Sequence, residues 1–313
     1  MVLITFFLSV SLQSQTTTNY AVKLGWGEDD VVVILHVDDV GMSHSSNVGA
    51  IQAVENGVAT SWAVMMPCAW VSEIAHYLHE NPDVDNGLHL TLTSEWKSYR
   101  WGPVAGKSQV PGLVDNEGCL WRSVPQVLAK ASADEIETEI RAQIDRAESM
   151  GIPITHLDSH MGTLFSHPEY FGRYVKVGIE KKIPILAPGG HLTYATKENG
   201  AAVQALKPFV QLVWNAGLPV IDDLHTDSYG WATDEKPVRL AQLLKDLKPG
   251  ITEILFHASE PSDVFPLITG SSASRKGDLE ALTSPLVRKT IEEENIILTT
   301  WKELMERRRK VKQ

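Results

Sequence analysis

Apolar positions recur along this chain in two rhythms, and the rhythms alternate. Short β-branched runs of strand length fall at 31–37, 58–65, 86–93, 152–158, 183–186, 219–223, 252–257 and 296–299. Between most of them lie stretches with the period of an amphipathic helix. The clearest spans 132–150, where Ile136, Ile140 and Ile144 return every four residues and Ser132 with Glu135 forms a capping-box pattern. Gly151 and Pro153 end it. A second, 237–247, is closed by Lys248, Pro249 and Gly250. Apolar strands alternating with helices predict a parallel sheet covered by helices. Seven or eight such units in 313 residues favour an α/β fold of the TIM-like (β/α) barrel type, irregular if need be, over an open doubly wound sheet. No internal repeat, linker or low-complexity tract interrupts the pattern, which predicts one domain over 25–313. Two segments, 94–124 and 258–278, read as long loops, and loops of that length usually carry function. In a barrel of this kind the chemistry sits where strands end.

The ends of the chain follow other rules. Residues 1–12 read MVLITFFLSVSL, an apolar run too short to span a bilayer. Ser9 and Ser11 offer a small-x-small cleavage point, although no basic residue precedes the run. This predicts a leader over 1–20, export to the periplasm or exterior, and a mature protein without a membrane span; a short buried strand or helix is the alternative. The formal net charge of −11 leaves no basic footprint for nucleic acid or an anionic membrane. The basic run at 307–312 reads as a solvated helix end. Cys68 and Cys119 are too few for a metal knuckle or a disulfide framework. They read as small buried side chains, with a single disulfide as the alternative.

The candidate chemistry gathers at strand ends. Asp38 and Asp39 close the first strand. Neighbours on a strand normally face opposite ways, but where the chain turns both acids can reach the barrel mouth. An Asx turn or helix cap explains the pair equally well. His89 lies in GLHLTLT and alone would pass for a hydrogen-bonded core histidine. In THLDSH, His156, Asp158 and His160 have period-2 spacing and share a face, which suits a metal ligand with neighbours that orient it. His257 ends the apolar strand ILFH. The set is stronger than its members. Asp39, His89 and His160 can offer one oxygen and two nitrogens to a divalent cation, Mg or Zn, with positions left open as in catalytic sites. Asp38 then stays free as a base, and His257 can protonate a leaving group. This is equipment for metal-assisted hydrolysis of an amide or ester. Weaker candidates for holding substrate are Trp96 and Trp101, which with Tyr99 and Trp121 could stack sugar rings or simply fold over the barrel. Asp223 in VIDDLH and Arg275 in the late loop join them, the former equally suited to a cap and the latter to pairing with Asp278.

With those residues assembled, the sequence resembles the YdjC-type carbohydrate deacetylases (the ChbG/HpnK family). The family's DD-x-G segment stands here as HVDDVG, its G-x-H segment as GLHLTLT, its T-H-x-D-S-H segment as THLDSH, its late strand as FHAS and its closing helix as LTSPLVR. The resemblance implies a TIM-like barrel, a bound divalent metal and removal of acetyl groups from an N-acetylated oligosaccharide. It places the metal ligands on Asp39, His89 and His160, the base on Asp38 and the proton donor on His257. His156 and Asp158 then orient His160. There are departures. His36 and Val37 stand where relatives often carry Asn and Ala, Val40 replaces a common Phe, and Met161-Gly162-Thr163 replaces a His-rich tail. These leave the ligand set intact and alter the pocket wall. Another amide, an ester or a phosphate as substrate, or a non-catalytic sugar-binding barrel, are the competing readings.

Overall fold

The structure, a computed structural model, describes residues 18–311. Seven parallel strands form its centre: β1 (Val31–Val40), β2 (Ser61–Val64), β3 (Asn86–Leu90), β4 (Leu157–Ser159), β5 (Asp223–His225), β6 (Gly250–Phe256) and β7 (Ile297–Leu298). Their order is β4-β3-β2-β1-β6-β5, with β7 beside β1. The long first strand is central because it is apolar on both faces: every residue after Val31 is buried. It borders β6 along most of its length, β7 near its start and β2 near its end. The buried apolar side chains form one continuous cluster.

The sheet curls like a barrel but does not close as a TIM barrel. The run at 183–186 forms no ladder, and the predicted 219–223 strand moves to Asp223–His225. Only isolated bridges, Leu157 to Ile185 and Pro188 to Ile221, cross the space between β4 and β5. Pro184 and Pro188 explain this, since neither has an N–H to donate to a ladder. The expected closed barrel is thus an open, barrel-like α/β sheet.

Local expectations fare better. The helix Ala133–Ser149 carries both halves of its capping box at Ser132 and Glu135, and buries Ile136, Ile140 and Ile144. The segment 94–124 is mostly irregular yet tied down. Arg100 reaches Asp115 at 2.7 Å and Glu117 at 2.8 Å, and Trp121 donates to Gly112 O at 2.7 Å. The segment 258–278, read as a loop, is helical over Phe265–Ile268 and Ser272–Leu282. That places Arg275 on a helix. Both cysteines are free. Residues 1–17 of the predicted leader lie outside the described residues. Tyr20 and Ala21 are buried in the folded body, their N–H groups bonded to Asp222. Among the described residues no helix is long and apolar enough to cross a membrane.

Candidate active site

The end of β1 solves the problem of two adjacent acids. The β1–β2 register shifts between Val37 and Val40, and Asp39 has φ +64°. A bulge with one left-handed residue re-aims side chains, and Asp tolerates that conformation better than most residues. Asp38 and Asp39 therefore line the same cavity. The next helix, His44–Glu55, takes Ser43 as its cap, so neither acid is consumed there.

Three strand ends then converge on Asp39. Its Oδ1 lies 3.4 Å from His89 Nε2 and 3.2 Å from His160 Nδ1. One ligand atom from each of these residues lies within 4.8 Å of the others. Each imidazole is held from behind. His89 Nδ1 meets Asp158 Oδ1 at 2.7 Å, and His160 Nε2 meets Glu95 Oε2 at 3.1 Å. A carboxylate behind one ring nitrogen favours a proton there, so the other nitrogen is the one that could ligate a cation. In both rings that other nitrogen faces Asp39, whose Oδ1 is buried without a hydrogen-bond partner. The donor set suits a divalent cation. On the far side Arg275 Nη2 pairs with Asp39 Oδ2 at 2.7 Å. Asp38 Oδ2 lies 3.8 Å from His257 Nε2. The His257 backbone is braced by Asp278, which accepts its N–H at 2.9 Å.

The electrostatics favour a positive charge at this point. Burial raises the Asp39 carboxyl, but Arg275 and then His160 outweigh it and hold the group well below the usual range. Burial also disfavours charge on His160. The nearby Glu95 charge and the contact with Asp39 reverse that and lift it to about 10. A field that holds a proton on a buried imidazole also holds a metal cation. His257 behaves oppositely: burial, only partly offset by Asp39, lowers it to about 4. It is neutral near pH 7 and can accept a proton before giving one.

A family model described as YdjC-like protein matches residues 32–293. The chain belongs to the YdjC-like family. A carbohydrate deacetylase of Thermus thermophilus is 30% identical over 275 residues, covering 88% of this chain and 94% of that one. A carbohydrate deacetylase of Thermoanaerobacter pseudethanolicus is 28% identical, covering 86% and 97%. A chitooligosaccharide deacetylase of Yersinia enterocolitica is 26% identical, covering 84% and 94%. The crystal structure of an Enterococcus faecalis protein superposes with a TM-score of 0.74 at 23% identity, covering 88% of this chain and 99% of that one, and shows the same fold.

Within this YdjC-like site the motif residues divide their duties differently from expectation. Asp158 does not orient His160. It is the register partner of His89 across β3 and β4 and holds that ring instead. His156 lies one layer deeper, stacked on Trp301 with centroids 5.2 Å apart, and touches neither ligand histidine. The backbone of Gly87 leaves room for that ring, since a Cβ there would come within 2.4 Å of it. Trp96 lines the cavity, whereas Trp101 sits behind it, donating to Thr93 O at 2.8 Å. Asp223 is spent on the backbone amides of Tyr194 and Ala195, at 2.8 and 3.0 Å. Arg275 pairs with Asp39 rather than Asp278, whose partner is Lys236. The cavity, about 670 Å³, lies in the range of small-molecule sites. Three contributors have no motif around them: Glu95 beside His160, Tyr229 whose ring stands 4.7 Å from that of His257, and Glu253 on β6 beside β1, facing His36. A lone acid inside the apolar run ITEILF was the available sign of the last.

Proposed function

We propose that this protein is a metal-dependent carbohydrate deacetylase, removing acetyl groups from N-acetylated saccharides. The observation that carries the reading is the meeting of Asp38, Asp39, His89, His160 and His257 in one cavity, in a chain whose relatives are named for this activity. Asp39, His89 and His160 would hold the cation, and two imidazoles with one carboxylate suit Zn better than Mg. When bound, a cation there supplies polarisation of the acetyl carbonyl and a more acidic water. The chain's own groups handle the protons. Asp38 Oδ2, on the cavity wall, takes the proton of the attacking water. His257 Nε2, 3.8 Å away, accepts it and passes it to the amine of the departing sugar. Trp96 and Tyr229 supply aromatic surface for the sugar ring.

The test combines elemental analysis of the purified protein with acetate release from N-acetylglucosamine oligomers, with and without chelator. Acetate release that depends on bound metal supports the reading. Release of phosphate or of another acid from a substrate panel, and not acetate, would replace it. Binding of an oligosaccharide with no product would make the barrel a non-catalytic receptor. Export rests on the apolar run at 1–12. N-terminal sequencing of protein recovered outside the cytoplasm checks it, and an intact Met1 there would oppose cleavage.

A further inference from the structure

His36 stands on β1 two residues before Asp38, fully buried, in a cage of acids. Its Nε2 lies 3.3 Å from Asp38 Oδ1 and 3.1 Å from Asp158 Oδ2. Its Nδ1 lies 3.7 Å from Glu253 Oε1 on β6. The remaining titratable neighbour is His156, whose ring meets that of His36 edge-on at 5.1 Å. Among the described residues no Lys or Arg forms an ion pair with Asp38, Asp158 or Glu253, so the positive charge beneath the site falls to histidine. Both Glu253 oxygens are buried with no donor at full hydrogen-bond distance, although the Trp301 indole helps to hold the carboxyl's charge.

An isolated buried carboxylate is costly, and removing the one counter-charge of a buried pair costs more than the pair itself contributes. Burial pushes Glu253 up to about 8 even though His36 pulls it back. His36 in turn is raised well above the usual histidine value, since Glu253 and then Asp158 and Asp38 outweigh its burial. The two residues behave as one unit that spaces two further carboxylates. One of these is the base, and the other sets the ring of His89.

We propose that His36 is a positioning residue, matched to Glu253, which holds Asp38 and Asp158 apart and in register beneath the ligand set. Its effect on turnover rests on the deacetylase reading, and its effect on metal binding does not. The pairing also explains a departure noted above. An Asn at this position would suit a neutral floor; here it would leave Glu253 buried without a charged partner.

The experiment compares His36→Asn, Glu253→Gln and the double variant with the unaltered protein. Melting of the metal-free protein, zinc affinity by chelator competition, and kcat and KM for acetate release are measured. His36→Asn should melt earlier, bind zinc about tenfold more weakly through the loosened Asp158–His89 contact, and lose kcat with KM nearly unchanged. The double variant should recover most of the melting temperature, because the uncompensated acid is gone, but not the zinc affinity, since Asp158 still lacks His36. Zinc affinity of His36→Asn equal to that of the unaltered protein would overturn the proposal. So would a double variant that melts no higher than His36→Asn. If His36→Asn does not fold, the double variant still decides: it must fold and bind zinc. Should the unaltered protein release no acetate from any substrate, the deacetylase reading fails, while the melting and zinc measurements still judge His36.

Discussion

Replacing Arg275 by Met separates the counter-ion of Asp39 from its ligand role. Arg275 and Asp39 are 3% and 1% exposed, with Nη2 to Oδ2 at 2.7 Å. The guanidinium also lies between Trp96 and Tyr229, 5.6 and 5.5 Å from their centroids, so an uncharged chain of similar length keeps the packing. Breaking a buried pair by removing one partner costs about 3–5 kcal/mol. His160 stays beside Asp39 Oδ1 and softens the loss, so about 3 kcal/mol is expected for the metal-free protein. For a chain of this size that lowers Tm by about 6 °C. A bound cation replaces the missing charge, so the metal-loaded variant should lose only about half as much. Linkage then requires tighter metal binding in the variant. A difference of about 1.5 kcal/mol is about tenfold in Kd. The assay is calorimetric melting with and without zinc, paired with chelator competition. A metal-free variant that melts with the unaltered protein, or one that binds zinc more weakly, would refute the counter-ion argument.

Asp38→Asn should retain metal and lose about 10²–10⁴-fold in acetate release; full activity with metal bound removes Asp38 as the base. Asp158→Asn should weaken zinc binding about 10–100-fold by freeing the His89 tautomer, and unchanged affinity would show that the 2.7 Å contact is incidental. On the surface, Glu137 is raised by burial but drawn down to about 2 by Lys176, Arg141 and Arg173. A depressed carboxylate stabilises the fold above its unfolded value near 4.5 and loses that contribution as pH falls towards 2. Solvent screening around its half-exposed partners limits the effect to about 1 kcal/mol. Glu137→Gln should therefore flatten the dependence of Tm on pH between those values, and an unaltered slope would contradict the assignment.

Much of the site can be read along the chain because its parts end strands. An acid or imidazole after an apolar run is conspicuous, and Asp38, Asp39 and His257 are of that kind; His160 shows through its motif, and His89, inside its strand, only in company with the others. Contacts that run across strands are not visible in one dimension. The spacing of His156, Asp158 and His160 suggested help along one strand, whereas Asp158 helps His89 on the neighbouring strand. Glu253 and His36 pair through the interior for the same reason. The closed barrel failed at 183–188, where two prolines carry strand-like hydrophobicity without ladder donors. Arg275 was hidden by composition: Ser and Gly around it suggested a loop, but packing made a helix.

The incomplete ring of strands has a mechanical consequence. Continuous ladders join β4 through β1 to β5, and these carry Asp38, Asp39, His89 and the strand leading to His257. The opposite arc has no ladder, only two bridges and the backbone hydrogen bonds around them, and Leu186 and Pro188 at that seam line the cavity. Most of the reacting groups thus share one continuous ladder, while the apolar wall at Leu186 and Pro188 is joined to it through separate, shorter sets of bonds, with His160 just beyond the edge strand where the two meet.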